Sequence, residues 1–150
     1  MPAQAEPSLV PEINSESDFF QRVKKRTAGT IYWERVEPSN ESGFPDTSFV
    51  IRSRGQGVAE GTAEFKYKDT AGAPNLSGDL VRGTQKSALL EYHQQGGRRR
   101  FFLVYTKGEV WFFNTEDAVA SILSGQAKCT ALGQMEEPAF TAWLLDGLRK

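Results

Sequence analysis

Apolar and polar positions along the chain change their period several times, and each change marks an element. Ser15-Glu16-Ser17-Asp18 places an acid three positions after a serine, a capping-box-like start. Phe19, Phe20 and Val23 follow at helical spacing. Lys24, Lys25 and Arg26 suit the negative end of that helix's dipole, and Ala28-Gly29-Thr30 closes it. Ile31 to Glu37 is rich in β-formers and alternates weakly. Thr47 to Ser53 reads as a second strand, and Arg54-Gly55-Gln56-Gly57 turns the chain into a third, Val58 to Lys68. There the alternation is sharp. Ala59, Gly61, Ala63, Phe65 and Tyr67 fall on one face, and Glu60, Thr62, Glu64, Lys66 and Lys68 on the other.

Asp69 to Asp79 is a turn-rich connection, and a helix is predicted over Leu80 to Gln95, stopped by Gly96-Gly97. On it Arg82, Gln85, Leu89 and Tyr92 or His93 share a face. Phe101 to Thr106, the Lys107-Gly108 turn and Glu109 to Phe113 form the clearest hairpin. Asn114 or Thr115 caps a helix through Leu123, and a last helix starts near Pro138 with Phe140, Trp143, Leu144 and Leu148 as its apolar stripe. The expected class is α/β, with a mixed sheet of about five strands flanked by helices. The span between the third and fourth strands is long enough for a crossover joining parallel strands. Residues 1–13, with Pro2, Pro7 and Pro11 among small and polar residues, read as a flexible arm before a single domain over 14–150.

Composition narrows the class without naming a function. A chain of 150 residues with 39% hydrophobic and 25% charged residues suits one soluble domain with a true core. No run approaches the roughly 18 apolar residues of a membrane span, and the start of the chain lacks a signal peptide's basic and apolar regions. A cytoplasmic location is therefore expected, the host cytoplasm if the source is viral. The single cysteine, Cys129, excludes an intrachain disulfide, and with the one histidine, His93, it argues against structural zinc. A net charge of −1 argues against a broadly basic coat, and leaves local groups such as Lys24–Arg26 and Arg98–Arg100 for any nucleic-acid contact.

Candidate chemistry gathers between Gly43 and Lys66. Asp46 opens one strand and Glu64 is central on the next, so their carboxylates can meet, and Lys66 lies two residues after Glu64 on the same face. Phosphodiester hydrolysis needs a nucleophilic water, neutralised charge and help for the leaving oxygen. Magnesium takes oxygen ligands and keeps several waters. Asp46, Glu64 and the carbonyl of Phe65 would serve it, while the Lys66 ammonium would orient or deprotonate the water. Against this stands a plain reading: Glu-x-Lys between Thr62 and Lys68 is the pattern of a solvated strand face, and Pro45-Asp46 is an ordinary turn.

The ordered set resembles the PD-(D/E)XK nuclease superfamily: Gly43-Phe44-Pro45-Asp46, a strand, a turn, and a strand bearing Glu64-Phe65-Lys66. Arg35-Val36-Glu37 and the Ser39–Gly43 loop are similar to the approach in VRR-type nucleases and archaeal-type Holliday-junction resolvases. Gln85, Gly96-Gly97 and the strand from Phe101 match the family's tail. The resemblance covers about Ser15 to Phe113, leaving 114–150 as added helices. It implies a restriction-endonuclease-like core and a deoxyribonuclease using magnesium, with manganese able to substitute. Asp46 and Glu64 would bind metal, Lys66 would act on the water, and Gln85 would contact the scissile region or hold Lys66. It also implies a further acid from the first helix, for which Glu16 is the best match with Asp18 behind it, and Glu37 as a more distant candidate. Phe44 and Phe65 depart from the small or aliphatic residues common there.

For DNA, Arg35, Arg82, Lys86 and Arg98 are the candidate contacts, Arg82 and Lys86 standing one turn apart near Gln85. His93 reads as a surface residue, the tryptophans as packing, and Cys129 as inert. Three functions compete. The first is a magnesium-dependent nuclease of phage type, selective for branched or recombination intermediates and acting as a homodimer. The second is a catalytically silent DNA-binding or structural protein that keeps the fold. The third is an adaptor docking through Phe140 and Trp143.

Overall fold

The computed structural model describes residues 12–35, 47–53 and 57–150 and, of residues 52, 53 and 57, the backbone alone. The elements run α1 (Glu16–Arg26), β1 (Ile31–Arg35), β2 (Thr47–Ser53), β3 (Gly57–Lys68), α2 (Gly83–Gln94), β4 (Arg100–Thr106), β5 (Glu109–Phe113), α3 (Thr115–Ser124), β6 (Thr130–Gly133) and α4 (Phe140–Arg149). Among the described residues the fold is α/β: a mixed sheet of six strands flanked by four helices. The strands lie side by side in sequence order, β1 through β6. All neighbours are antiparallel except β3 and β4, which run parallel because α2 carries the chain back between them.

Local chemistry sets the boundaries. Ser15 caps α1 by accepting from the Asp18 amide at 3.1 Å, and Asn114 does the same for α3 from Asp117 at 2.7 Å. The Lys107-Gly108 turn of the β4–β5 hairpin needs positive φ at both positions, 40° and 94°. Helix α2 begins at Gly83, later than the Leu80 expected, because Val81 turns inward and is buried while Arg82 takes the N-cap. Helix α4 begins at Phe140, two residues after Pro138.

The sheet divides the core in two. One cluster joins Phe19, Phe20 and Val23 of α1 and Phe140, Leu144 and Leu148 of α4 to Trp33, Phe49, Ile51, Ala63, Phe65, Phe101 and Leu103 of the strands. Phe65 sits at its centre, edge-on to Phe19, Phe20 and Trp33 with ring centroids at 5.4, 5.1 and 5.3 Å. The second cluster, under α2 and α3, is smaller: Leu76, Val81, Leu89, Phe102, Val104, Phe113, Ala118 and Val119.

The described sheet has one strand more than the about five expected. Thr130–Gly133 is only four residues long and buries Leu132 alone, too short for alternation to show, and it joins β5 through an irregular register at Val110/Trp111. The end of α4 is part of the main core and Phe140 is fully buried, which removes it from any docking surface, whereas Trp143 is 47% exposed.

Candidate functional site

Strand β3 delivers opposite chemistries to its two faces. Ala63 and Phe65 enter the aromatic cluster, and Glu64 and Lys66 point the other way, beneath α2. The solvated-face reading of Glu-x-Lys is overturned there: Glu64 is 5% exposed and Lys66 7%. Helix α2 covers them and supplies Gln85, itself 6% exposed.

The three side chains form one hydrogen-bonded cluster. Lys66 Nζ donates to Gln85 Oε1 at 3.0 Å, and Gln85 Nε2 donates to Glu64 Oε2 at 3.1 Å. Lys66 Nζ stands 3.8 Å from that same Glu64 oxygen. The Arg82 amide also donates to Gln85 Oε1, at 3.2 Å, so the glutamine that spans the pair also closes the first turn of α2. Two donors on Oε1 and one acceptor at Nε2 fix the amide's orientation, since a flipped amide would face its NH2 to an ammonium and an N–H.

The last described β2–β3 pair is Thr47 with Ala63, and β3 runs alongside β4 to Lys68. The Thr62 amide donates to Arg99 O in the approach to β4 at 3.0 Å, so the backbone groups of residues 62, 64 and 66 face β4. By alternation the carbonyl of Phe65 faces the β2 side of the strand, as Ala63 does. A carboxylate and a backbone carbonyl are the hard oxygen donors that suit magnesium. Among the described residues no group of three or more histidine, cysteine, aspartate or glutamate side chains gathers. Asp46, Glu37, Gly43 and Phe44 lie outside the described residues.

The remaining candidates are dispersed. Glu16 is exposed in the first turn of α1, which packs on the Phe65 side of the sheet, and it takes no part in the Glu64–Gln85–Lys66 cluster. Asp18 is engaged at the helix cap, accepting from the Asn14 amide at 3.2 Å. Arg35 ends β1 with its guanidinium 4.5 Å from the Phe20 ring centroid. Arg82 is exposed at the N-cap of α2, and Lys86 donates to Ser77 O at 2.7 Å. Arg98 is paired with Glu116. His93 lies half-buried in the last turn of α2.

One residue near the site was read from sequence only as part of the Arg98–Arg100 run. Arg100 is the register partner of Thr62, two positions from Glu64 along the sheet, and shares a face with Phe102 and Val104 of the α2 side. Burial lowers its pKa from the usual arginine value, while Tyr92 and Glu64 act in the opposite direction by favouring the cation. The signal was available as parity: Arg100 precedes Phe102 by two, so it lies on that strand's site face.

Cys129 is half-buried, and desolvation, reinforced by Asp117, pushes its thiol up to about 11. No helix among the described residues is long and apolar enough to cross a membrane. No family model matches this chain, and no curated protein does.

Proposed function

We propose that the chain is a magnesium-dependent deoxyribonuclease of the PD-(D/E)XK type, with Asp46, Glu64, Lys66 and Gln85 as its working residues. The observation that carries this reading is the buried Glu64–Gln85–Lys66 cluster beneath α2. A carboxylate and an ammonium taken out of water return little net stability, because desolvation offsets their attraction. Chemistry gives a reason to keep them.

Asp46 is bonded to Thr47, whose register partner Ala63 precedes Glu64, so the covalent chain holds it within one residue step of the pair's end. Asp46, Glu64 and the Phe65 carbonyl would hold the ion, which when bound neutralises phosphate charge and acidifies water. Lys66 would orient the attacking water and offset charge at phosphorus. Gln85, bonded to both, keeps the ammonium and the carboxylate in one relative position. Manganese would substitute for magnesium, a restriction-endonuclease-like core would be the scaffold, and a homodimer would address two strands.

The test incubates the purified chain with single-stranded, linear duplex and branched DNA, with and without magnesium. Metal-dependent cleavage abolished by Asp46→Ala and by Glu64→Gln is expected. Absence of cleavage of all three substrates, or cleavage that survives Asp46→Ala, sinks the proposal. The mutual satisfaction of Glu64, Gln85 and Lys66 also fits a silent structural network. Magnesium-independent DNA binding with no cleavage would select that second reading.

A further inference from the structure

The three consecutive arginines before β4 have three separate fates. Arg98 turns to Glu116 on α3. Arg99 lies over the aromatic face, 5.0 Å from the Phe101 centroid and 5.9 Å from that of Phe49, with its Nε donating to Glu60 O at 3.0 Å. Arg100 lies on the strand face that carries Glu64, and α3 and α2 fix it there.

Its backbone is clamped from both sides by one hydroxyl. The Arg100 amide donates to Thr115 Oγ1 at 3.0 Å, and that hydroxyl donates to Arg100 O at 2.8 Å. Its guanidinium lies 4.3 Å from the centroid of the Tyr92 ring. That ring is held in turn. The Tyr92 hydroxyl accepts from the Arg99 amide at 2.9 Å, and the backbone of Gly97 passes so close to the ring that a Cβ there would collide with it. Gly96 and Gly97 therefore do different work: Gly96 takes the left-handed turn at φ 92°, and Gly97 lets the chain lie against Tyr92.

An arginine stacked on a ring and fixed at its backbone has lost most of the freedom that binding would otherwise remove. Its planar donors suit a phosphate better than an ammonium would. We propose that Arg100, aimed by the Tyr92 platform, holds a DNA backbone phosphate beside the one cleaved at Glu64. The inference rests on the nuclease reading for its substrate class, and its test is a binding measurement that does not require cleavage.

A labelled oligodeoxynucleotide, single-stranded and duplex, is titrated in calcium across a range of salt concentrations with native protein, Arg100→Gln, Arg100→Lys and Tyr92→Leu. Loss of one phosphate contact lowers the magnitude of the slope of log K against log[salt] by about 0.7 on a single strand and about 0.9 on duplex. Arg100→Gln is expected to show that drop and about a tenfold weaker Kd. Arg100→Lys should keep the slope while recovering part of the affinity, and Tyr92→Leu should weaken binding with the slope retained. An unchanged slope in Arg100→Gln overturns the proposal, as does equal weakening by Gln and Lys with no change of slope, which marks a residue that merely balances Glu64. Native protein that binds but does not cleave defeats the nuclease reading while the slopes still decide the role of Arg100. Cleavage with an unchanged Arg100→Gln slope defeats the role of Arg100 alone, and native protein that neither binds nor cleaves defeats both.

Discussion

The two faces of the sheet differ in what they spend their buried volume on. Under α1 and α4 the side chains are nearly all apolar and largely aromatic, and Phe65 meets three other rings. Under α2 and α3 the apolar cluster is smaller and shares its space with Glu64, Lys66 and Gln85. Both sets come from the same stretch of β3, one residue apart. The difference teaches that the aromatic face supplies the stability that lets the other face bury charges for little return.

Five tests probe that division, beginning with the largest effect. Phe65→Ala should cost about 3–5 kcal/mol in denaturant unfolding, since it empties the centre of the aromatic cluster. A loss near 1 kcal/mol would mean that the aromatic face is not the main source of stability. Gln85→Ala should cost about 1–3 kcal/mol by leaving Lys66 and Glu64 each short of a buried partner. Replacing the set together (Glu64→Leu, Lys66→Met and Gln85→Leu) should instead leave stability unchanged or raise it by about 1–4 kcal/mol while abolishing cleavage. A large destabilisation of that triple variant would show the polar cluster to be a structural asset. Ser15→Ala on α1 and Asn114→Ala on α3 should each lose about 1 kcal/mol, because a cap is a local device indifferent to the face its helix serves. The smallest effect concerns Cys129. With its pKa pushed up to about 11 the neutral thiol prevails near pH 7, so alkylation by iodoacetamide should be slow there and rise tenfold per pH unit up to that value.

Much of the fold was legible because periodicity and punctuation agreed. The cap at Ser15, the Lys107-Gly108 hairpin and the two-faced β3 appear as read, and of Asn114 and Thr115 it is Asn114 that caps α3. Strand β6 was not legible, since four residues with a single buried apolar side chain carry no period. At the site, the shared face of Glu64 and Lys66 followed from spacing, and the face of Gln85 from helical offsets. Their burial did not follow, because whether a charged strand face meets water or a helix depends on where the crossover lies. The fates of Arg98, Arg99 and Arg100 were equally hidden: a run of like charges has no internal signal until strand parity sorts it. Asp46 was chosen by sequence and stands one bond beyond the described start of β2.

The sheet that repeats the order of the sequence has a consequence for how the protein comes together. The β2–β3 and β4–β5 pairs can zip from short connections, whereas β3 and β4 must wait for the whole segment from Asp69 to Arg99 to close a loop. Gln85 rides on that segment. The expected kinetic signature is a φ-value near zero for Gln85→Ala alongside a high one for Phe49→Leu in the N-terminal ribbon, measured from folding and unfolding rates. A high value at Gln85 would reverse the order. With the expected order, the carboxylate and ammonium of β3 are captured last, so a nascent or half-folded chain holds the parts of the site but not their arrangement.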